Sequence, residues 1–254
     1  MTSPAKSVPT GVPGGSFSAE DATEAALHGA FTGALTAWLT ASTSAIMSGG
    51  MVPDLAMMLG PAVWASYAKF RVRNALRTVW LKVFGRTGTD LRGYIDTYTE
   101  ALPNRLDGLP ELANRHASQA LAQALPTGDV EEIRKAVQDA LAPSAFDGYV
   151  NRLAASEASI SVNAARHELA MTAYREGVRI DKVWRTRRDD RVRHTHEKAE
   201  GQQVPFTAPF WVGGVPMAHP GDPTAPIHEV ANCRCKVDYK LHEVRPAIPA
   251  GVRR

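Results

Sequence analysis

Residues 184–239 read WRTRRDDRVRHTHEKAEGQQVPFTAPFWVGGVPMAHPGDPTAPIHEVANCRCKVDY, and the fold class turns on them. They hold both cysteines, Cys233 and Cys235, and with His242 just beyond they account for five of the chain's eight histidines (His194, His196, His219, His228 and His242). Prolines and glycines recur from Gly201 to Pro226 too densely for a long helix. The chain enters this stretch through VRIDKVWRT (178–186), where apolar and polar residues alternate with the period of two that marks a strand. Upstream, apolar residues recur at helical spacing. The pattern predicts an α+β chain: a mostly α-helical N-terminal region followed by a small α+β module with short strands and long Pro/Gly-rich loops.

Within the module, Arg187–Asp190 read as a polar turn and residues 191–199 as one short helix. Short strands are expected around 202–205 and 209–212, and a final one over RCKVDYKL (234–241). So little local structure buries little surface, and small modules of this kind need a staple. Cysteines one residue apart are poorly placed to bridge each other. Zinc takes thiolates and imidazoles in tetrahedral sites. His196, Cys233 and Cys235 supply three such ligands, with His194, His219 or Asp222 as candidates for the fourth. Residues two apart on a strand share a side, so C-x-C is workable, though less specific than C-x-x-C. The same residues have plainer readings: Cys233 as a buried hydrophobe, the histidines as surface or satisfied core groups. A thiol–imidazole pair lacks any local catalytic signature. A nuclease built on His196, Asp222 and Asn232 needs a metal-bound water and a positioned base. Glu197, Glu200 and Glu229 read as solvated charge. No residue is assigned a catalytic role.

Arg185, Arg187, Arg188, Arg191 and Arg193 form a dense basic run beside Trp184, interrupted by Asp189 and Asp190. Guanidinium groups suit phosphate. The aspartates equally suit an internal ion-pair network, and Arg193 and Arg234 could tie the segment together through carboxylates such as Asp222. The whole chain, at +3 with 44% hydrophobic and 22% charged residues, has the composition of a soluble globular protein, not of a general nucleic-acid binder.

The front of the chain is chemically plain. Residues 1–16 carry no apolar core segment and read as part of a disordered arm. The uncharged run from Ala25 to Pro53 could span a bilayer by length. Its large apolar residues Leu27, Phe31, Leu35, Trp38 and Ile46 instead follow one helical face, which predicts no membrane span. Helices are expected over about 19–47, from Gly60-Pro61 to Gly85, over 130–142 behind an Asp129/Glu132 cap, and over about 145–176. The second carries Val63, Trp64, Tyr67, Leu76, Val79, Trp80 and Val83 on its apolar side and Lys69, Arg71, Arg73, Arg77 and Lys82 on a side read as solvated.

Four separated motifs carry a resemblance. W-R-T-x-x-D-D-R-V-R-x-x-H-x-x-x-x-G (184–201), F-x-V-G-G-V-P (210–216), P-G-D-P (220–223) and E-V-x-N-C-R-C-x-V (229–237), in that order, resemble the Mu F-like minor head (head morphogenesis) family of tailed bacteriophages. The likeness covers residues 178–240. The preceding ASEASISVNAARH (155–167) resembles the helix that leads into this module, and residues 1–145 show no comparable match. Arg193, His196, Gly201, Pro220, Gly221, Asp222, Asn232, Cys233, Arg234 and Cys235 occupy motif positions of the family. Glu200 stands where an aspartate is more usual, and His194 and His219 are additional. The resemblance implies a low-copy structural protein of the phage head interior, assembled in the host cytoplasm and acting in procapsid assembly, genome packaging or delivery. Its implied partners are the portal protein and the major capsid or scaffolding protein, with packaged DNA as a further contact.

The expected organisation is an arm (1–17), an α-helical region (18–144), a connecting helix (145–177), the module (178–242) and a tail (243–254). A zinc cluster of His196, Asp222, Cys233 and Cys235 is expected to brace the module, with Arg193, Gly201, Pro220, Gly221, Asn232 and Arg234 as its structural motif. Arg185, Arg187, Arg188 and Arg191 are the candidate phosphate contacts. The second reading is a DNA-contacting or metal-dependent DNA-cleaving internal head protein.

Overall fold

The computed structural model describes residues 17–48, 55, 57–83, 91–100 and 108–242. The expected arm over 1–16, the tail over 243–254 and the helix breakers Gly49, Gly50, Pro53, Gly85 and Pro103 lie outside the described residues. The fold is α+β. Two compact units can be distinguished, one of residues 18–83 and 91–158, the other of residues 159–242 with Phe17. The boundary falls inside the helix expected as a connector.

The helical unit contains α1 (Ser18–Met47), α2 (Pro61–Val83), α3 (Leu91–Glu100), α4 (Gly108–Ala124), α5 (Val130–Ala140) and the start of α6 (Asp147–Arg175). α1 buries Leu27, Phe31, Leu35 and Trp38, as their spacing predicts. Its Trp38 packs on Trp64 of α2, ring centroids 5.1 Å apart, and donates its indole N–H to the Met58 carbonyl at 2.7 Å. α2 buries Trp64, Ala68, Val72, Leu76 and Trp80, a stripe of every fourth residue, while Phe70 is exposed. Its basic side is not merely solvated: Lys69 pairs with Glu100 at 2.5 Å and Arg73 with Asp96 at 2.8 Å, both on α3. These pairs are half exposed, so they orient α3 more than they stabilise it. No described helix is long and apolar enough to cross a membrane.

α5 starts where the cap pattern places it. The Asp129 carboxylate accepts from the backbone N–H of Glu131 at 2.8 Å and of Glu132 at 3.3 Å. Val137 and Leu141 are buried, while Val130 at the helix start is exposed. Asp129→Ala is expected to cost about 1 kcal/mol, read as a lowered urea midpoint.

The second unit is built on β1 (Arg179–Arg185), the middle strand of a three-stranded antiparallel sheet. It pairs with β2 (Gln203–Pro205), with Val183 opposite Gln203, and with β5 (Lys236–His242), with Arg185 opposite Lys236. A separate hairpin of β3 (Phe210–Val212) and β4 (Val215–Met217) turns at Gly213-Gly214, both at positive φ. Gln202 joins the hairpin to β2: its side-chain oxygen accepts from the Trp211 N–H at 2.7 Å. α7 (His194–Ala199) and α8 (Ile227–Val230) are single turns in the long loops. β4 was not expected from the sequence, and α7 is shorter than the helix expected over 191–199.

Two side chains on α6 close the far edge of β5. Asn163 donates to the Cys235 carbonyl at 2.8 Å and accepts from the Val237 N–H at 3.0 Å, as a neighbouring strand's peptide would. The Ser159 hydroxyl donates to the same carbonyl at 3.1 Å. Every residue from Ser159 to Asn163 is buried, so the helix has no solvent-facing side there. On β1, Ile180, Lys182 and Trp184 share a face by the period of two, and all three are buried. Lys182 donates to the Ala218 carbonyl at 2.8 Å and lies 5.0 Å from the Phe210 ring centroid; burial lowers its pKa to about 8.

Candidate metal centre

His196 projects from α7 toward the segment after α8. Three local features aim it. The Arg193 guanidinium just before the helix donates to the Ala231 carbonyl. The ring stands edge-on to Trp184, centroids 5.5 Å apart at 89°. The chain after α8 then turns back through Asn232 at φ 57, a left-handed conformation that asparagine tolerates better than most residues. That turn delivers Cys233 and Cys235 to the same imidazole.

The Nδ1 atom of His196 lies 3.4 Å from the Cys235 sulfur and 3.7 Å from that of Cys233. Candidate ligand atoms of the three residues lie within 4.8 Å of one another. The opposite ring nitrogen, Nε2, is 2.9 Å from a carboxylate oxygen of Glu229, which also accepts from the Thr195 hydroxyl at 3.0 Å. All four groups are dry: relative exposures are 1% for His196, 2% for Cys233, 3% for Cys235 and 4% for Glu229. Gly213, at φ 59, leaves room for that carboxylate, which a Cβ there would strike.

The electrostatics are those of a shared proton. Hydrogen bonding from Cys235 pulls the Cys233 thiol well below its ordinary pKa against the cost of burial, and His196 adds to the pull. Cys235, the donor in that bond, is pushed up, with burial and the Cys233 charge adding. Burial opposes a charge on His196, but Cys233 and Glu229 together raise it. Without metal, these contacts push Cys233 toward the thiolate and His196 toward its protonated form.

Three of the four expected ligands are brought together, and Asp222 is not among them. Its carboxylate closes its own loop, accepting from the Ala218 N–H at 2.7 Å, the Thr224 N–H at 2.9 Å and the Thr224 hydroxyl at 2.7 Å. His194 is exposed, 3.7 Å from Glu197. His219 is buried elsewhere, donating from Nδ1 to the Pro220 carbonyl at 3.0 Å and packed 5.2 Å from His167. Glu229, read from the sequence as solvated charge, is the carboxylate that reaches the cluster. Its place four residues before Cys233, within the E-V-x-N-C-R-C motif, was the available signal.

The basic run is largely engaged internally. Arg185 reaches Glu200 at 3.4 Å and Asp238 at 3.3 Å, and Arg188 reaches Glu200 at 2.9 Å. Glu200 also accepts from the Thr186 N–H at 2.5 Å, so this residue organises the turn. Arg187 lies 4.5 Å from the Phe17 ring centroid, and Arg191 is exposed. Arg234 grips Asp189 through two hydrogen bonds of 2.7 and 2.8 Å, not Asp222. Gly201, at φ 76, donates its N–H to the Trp184 carbonyl at 2.9 Å, and Pro220 and Gly221 are buried.

A family model described as Phage Mu protein F like protein matches residues 115–238. Over that span, just under half of the chain, the sequence is similar to the Mu F-like family. The match begins in α4, well before residue 178, so the Mu F-like segment includes helices whose sequence carried no visible likeness. It ends at Asp238, just past the two cysteines, and contains every residue of the His196 cluster. That likeness points toward phage head morphogenesis. No curated protein and no solved structure matches the chain.

Proposed function

We propose that this Mu F-like protein is a minor capsid component of a tailed bacteriophage, held in few copies at the portal and head interior. It acts there in procapsid assembly, genome packaging or delivery, through contacts with the portal and the major capsid or scaffolding protein, and performs no catalysis. The observation that carries this reading is the family match over residues 115–238. The internal pairing of Arg185 and Arg188 supports it over the DNA-binding alternative, because guanidinium groups already neutralised release few counterions on meeting phosphate.

Quantitative mass spectrometry of virions from the phage that encodes the chain should find it at a few copies per portal ring. Co-expressed portal, capsid or scaffolding protein should retain it on affinity purification. Absence from virions, together with no retention by any of the three, would overturn the proposal. The purified chain should leave single- and double-stranded DNA intact with added Mg²⁺ or Mn²⁺ and should lose residual DNA binding at physiological salt. Cleavage abolished by His196→Ala would instead establish the metal-dependent nuclease.

A further inference from the structure

We infer that His196, Cys233 and Cys235 bind one zinc ion through Nδ1 and the two sulfurs, and that Glu229 is the positioning residue that makes His196 a ligand. Three independent features converge on this. The donor set is two thiols and one imidazole, the soft and borderline ligands that zinc prefers. The separations also fit. Bonds of roughly 2.3 Å to sulfur and 2.0–2.1 Å to nitrogen at a tetrahedral angle put N and S roughly 3.6 Å apart. The observed distances are 3.4 and 3.7 Å, bracketing that value.

The third feature is the orientation of the ring. An ionised carboxylate only accepts hydrogen bonds, so Glu229 at 2.9 Å from Nε2 selects the tautomer with its proton on Nε2. That leaves the Nδ1 lone pair facing the sulfurs. A carboxylate–histidine–metal relay of this kind fixes the ring and raises ligand basicity. Glu229 is itself held by the Thr195 hydroxyl at 3.0 Å. Trp184 blocks rotation of the imidazole from the side.

The site joins α7 to the strand entry at β5, segments nearly forty residues apart in sequence, in a unit with short strands and long loops. Among the described residues, His196, Cys233 and Cys235 are the His, Cys, Asp or Glu side chains that belong to the cluster, and they supply three ligands. Deep burial of all three ligands assigns the ion a structural role. Zinc takes two thiolates and a neutral imidazole, so binding displaces every proton these three groups carry and strengthens as pH rises.

The test uses the full-length chain purified under reducing conditions without chelator, then equilibrated with Zn²⁺ and desalted. Elemental analysis should find about one zinc per chain, absent in Cys233→Ser and Cys235→Ser. Substituting Co²⁺ should give the intense visible bands of a tetrahedral ion and the near-ultraviolet thiolate-to-metal transition. Glu229→Gln, nearly the same shape, should keep the ion but with affinity weakened about 10- to 100-fold in a competition titration with a chromogenic chelator. Zinc well below one per chain, zinc retained by both serine variants, or a Cys233–Cys235 disulfide in the reduced preparation would each overturn the site. Unchanged affinity in Glu229→Gln would overturn the role given to Glu229. These readouts are of metal and do not depend on the part the protein plays in the head.

Discussion

Gly221→Ala is expected to destabilise the second unit by about 2–5 kcal/mol, from backbone strain and overpacking together. Gly221 sits at φ 77, where a residue with a Cβ is strained whatever the space around it. Here there is no space. A Cβ would come within 2.9 Å of Ile160 Cγ1 and 3.0 Å of Ile160 Cα, against ordinary carbon contacts of about 3.5–4.0 Å. The side-chain atom could swing aside; the Cα belongs to α6 and cannot. Gly214→Ala is the control, because it has φ 81 but nothing within 4 Å of the added carbon. It should show the conformational cost alone, about 1–2 kcal/mol. Equal urea midpoints for the two variants would show that the Gly221 loop does not rest on α6 as described.

Acidification from pH 7 to pH 5 is expected to weaken the same unit by up to about 2 kcal/mol through His167 alone. Burial first, then the charges of His219 and Lys182, hold His167 down at about 4, from an unfolded value of 6.5. Burial also lowers His219. Both imidazoles are neutral in the fold and bind protons once the chain opens, so the unfolded state gains protons as pH falls. Stability is therefore full above pH 6.5 and is lost progressively between about 6.5 and 4. The groups facing His167 are His219, Lys182, Asp222 and the Tyr239 hydroxyl at 3.1 Å. The lowered carboxylates Asp189, Glu200 and Asp222 lose their contribution only below the unfolded carboxylate range, so they leave this window to the histidines. His167→Phe keeps a ring stacked on Phe206, 5.0 Å away, and removes the titration. Urea unfolding at the two pH values should show the variant losing less than the parent; equal losses would sink the account.

Much of the fold is legible because its signals are local. Asp129 announces α5, alternation announces β1, and the i, i+4 apolar residues announce α1. The failures are equally physical. β4 has the sequence Val-Pro-Met and follows two glycines, so it reads as loop unless Gly213-Gly214 is recognised as a hairpin turn. Lys182 broke the rule that polar strand residues face water, because its amine finds one carbonyl and two aromatic faces inside. At the candidate site, the choice between Asp222 and Glu229 was not open to inspection. Asp222 has the chemistry of a ligand but the local habit of a turn former, bonding to backbone two residues on. Glu229 reaches His196 because α8 and the Asn232 turn fold the chain back, and its place in the E-V-x-N-C-R-C motif was the one local hint of it. Asn163 was invisible for the same reason, since its partners are more than seventy residues away.

With β1 on one side and the Asn163 amide on the other, the start of β5 already has the Cys235 carbonyl and the Val237 N–H engaged. A visiting strand would have to displace Asn163 before it could pair at that end. The large apolar side chains exposed among the described residues of the same unit are Tyr174, Trp211, Ile227 and Leu241, the last on β5 itself. Substitutions at such exposed positions should therefore leave the fold intact.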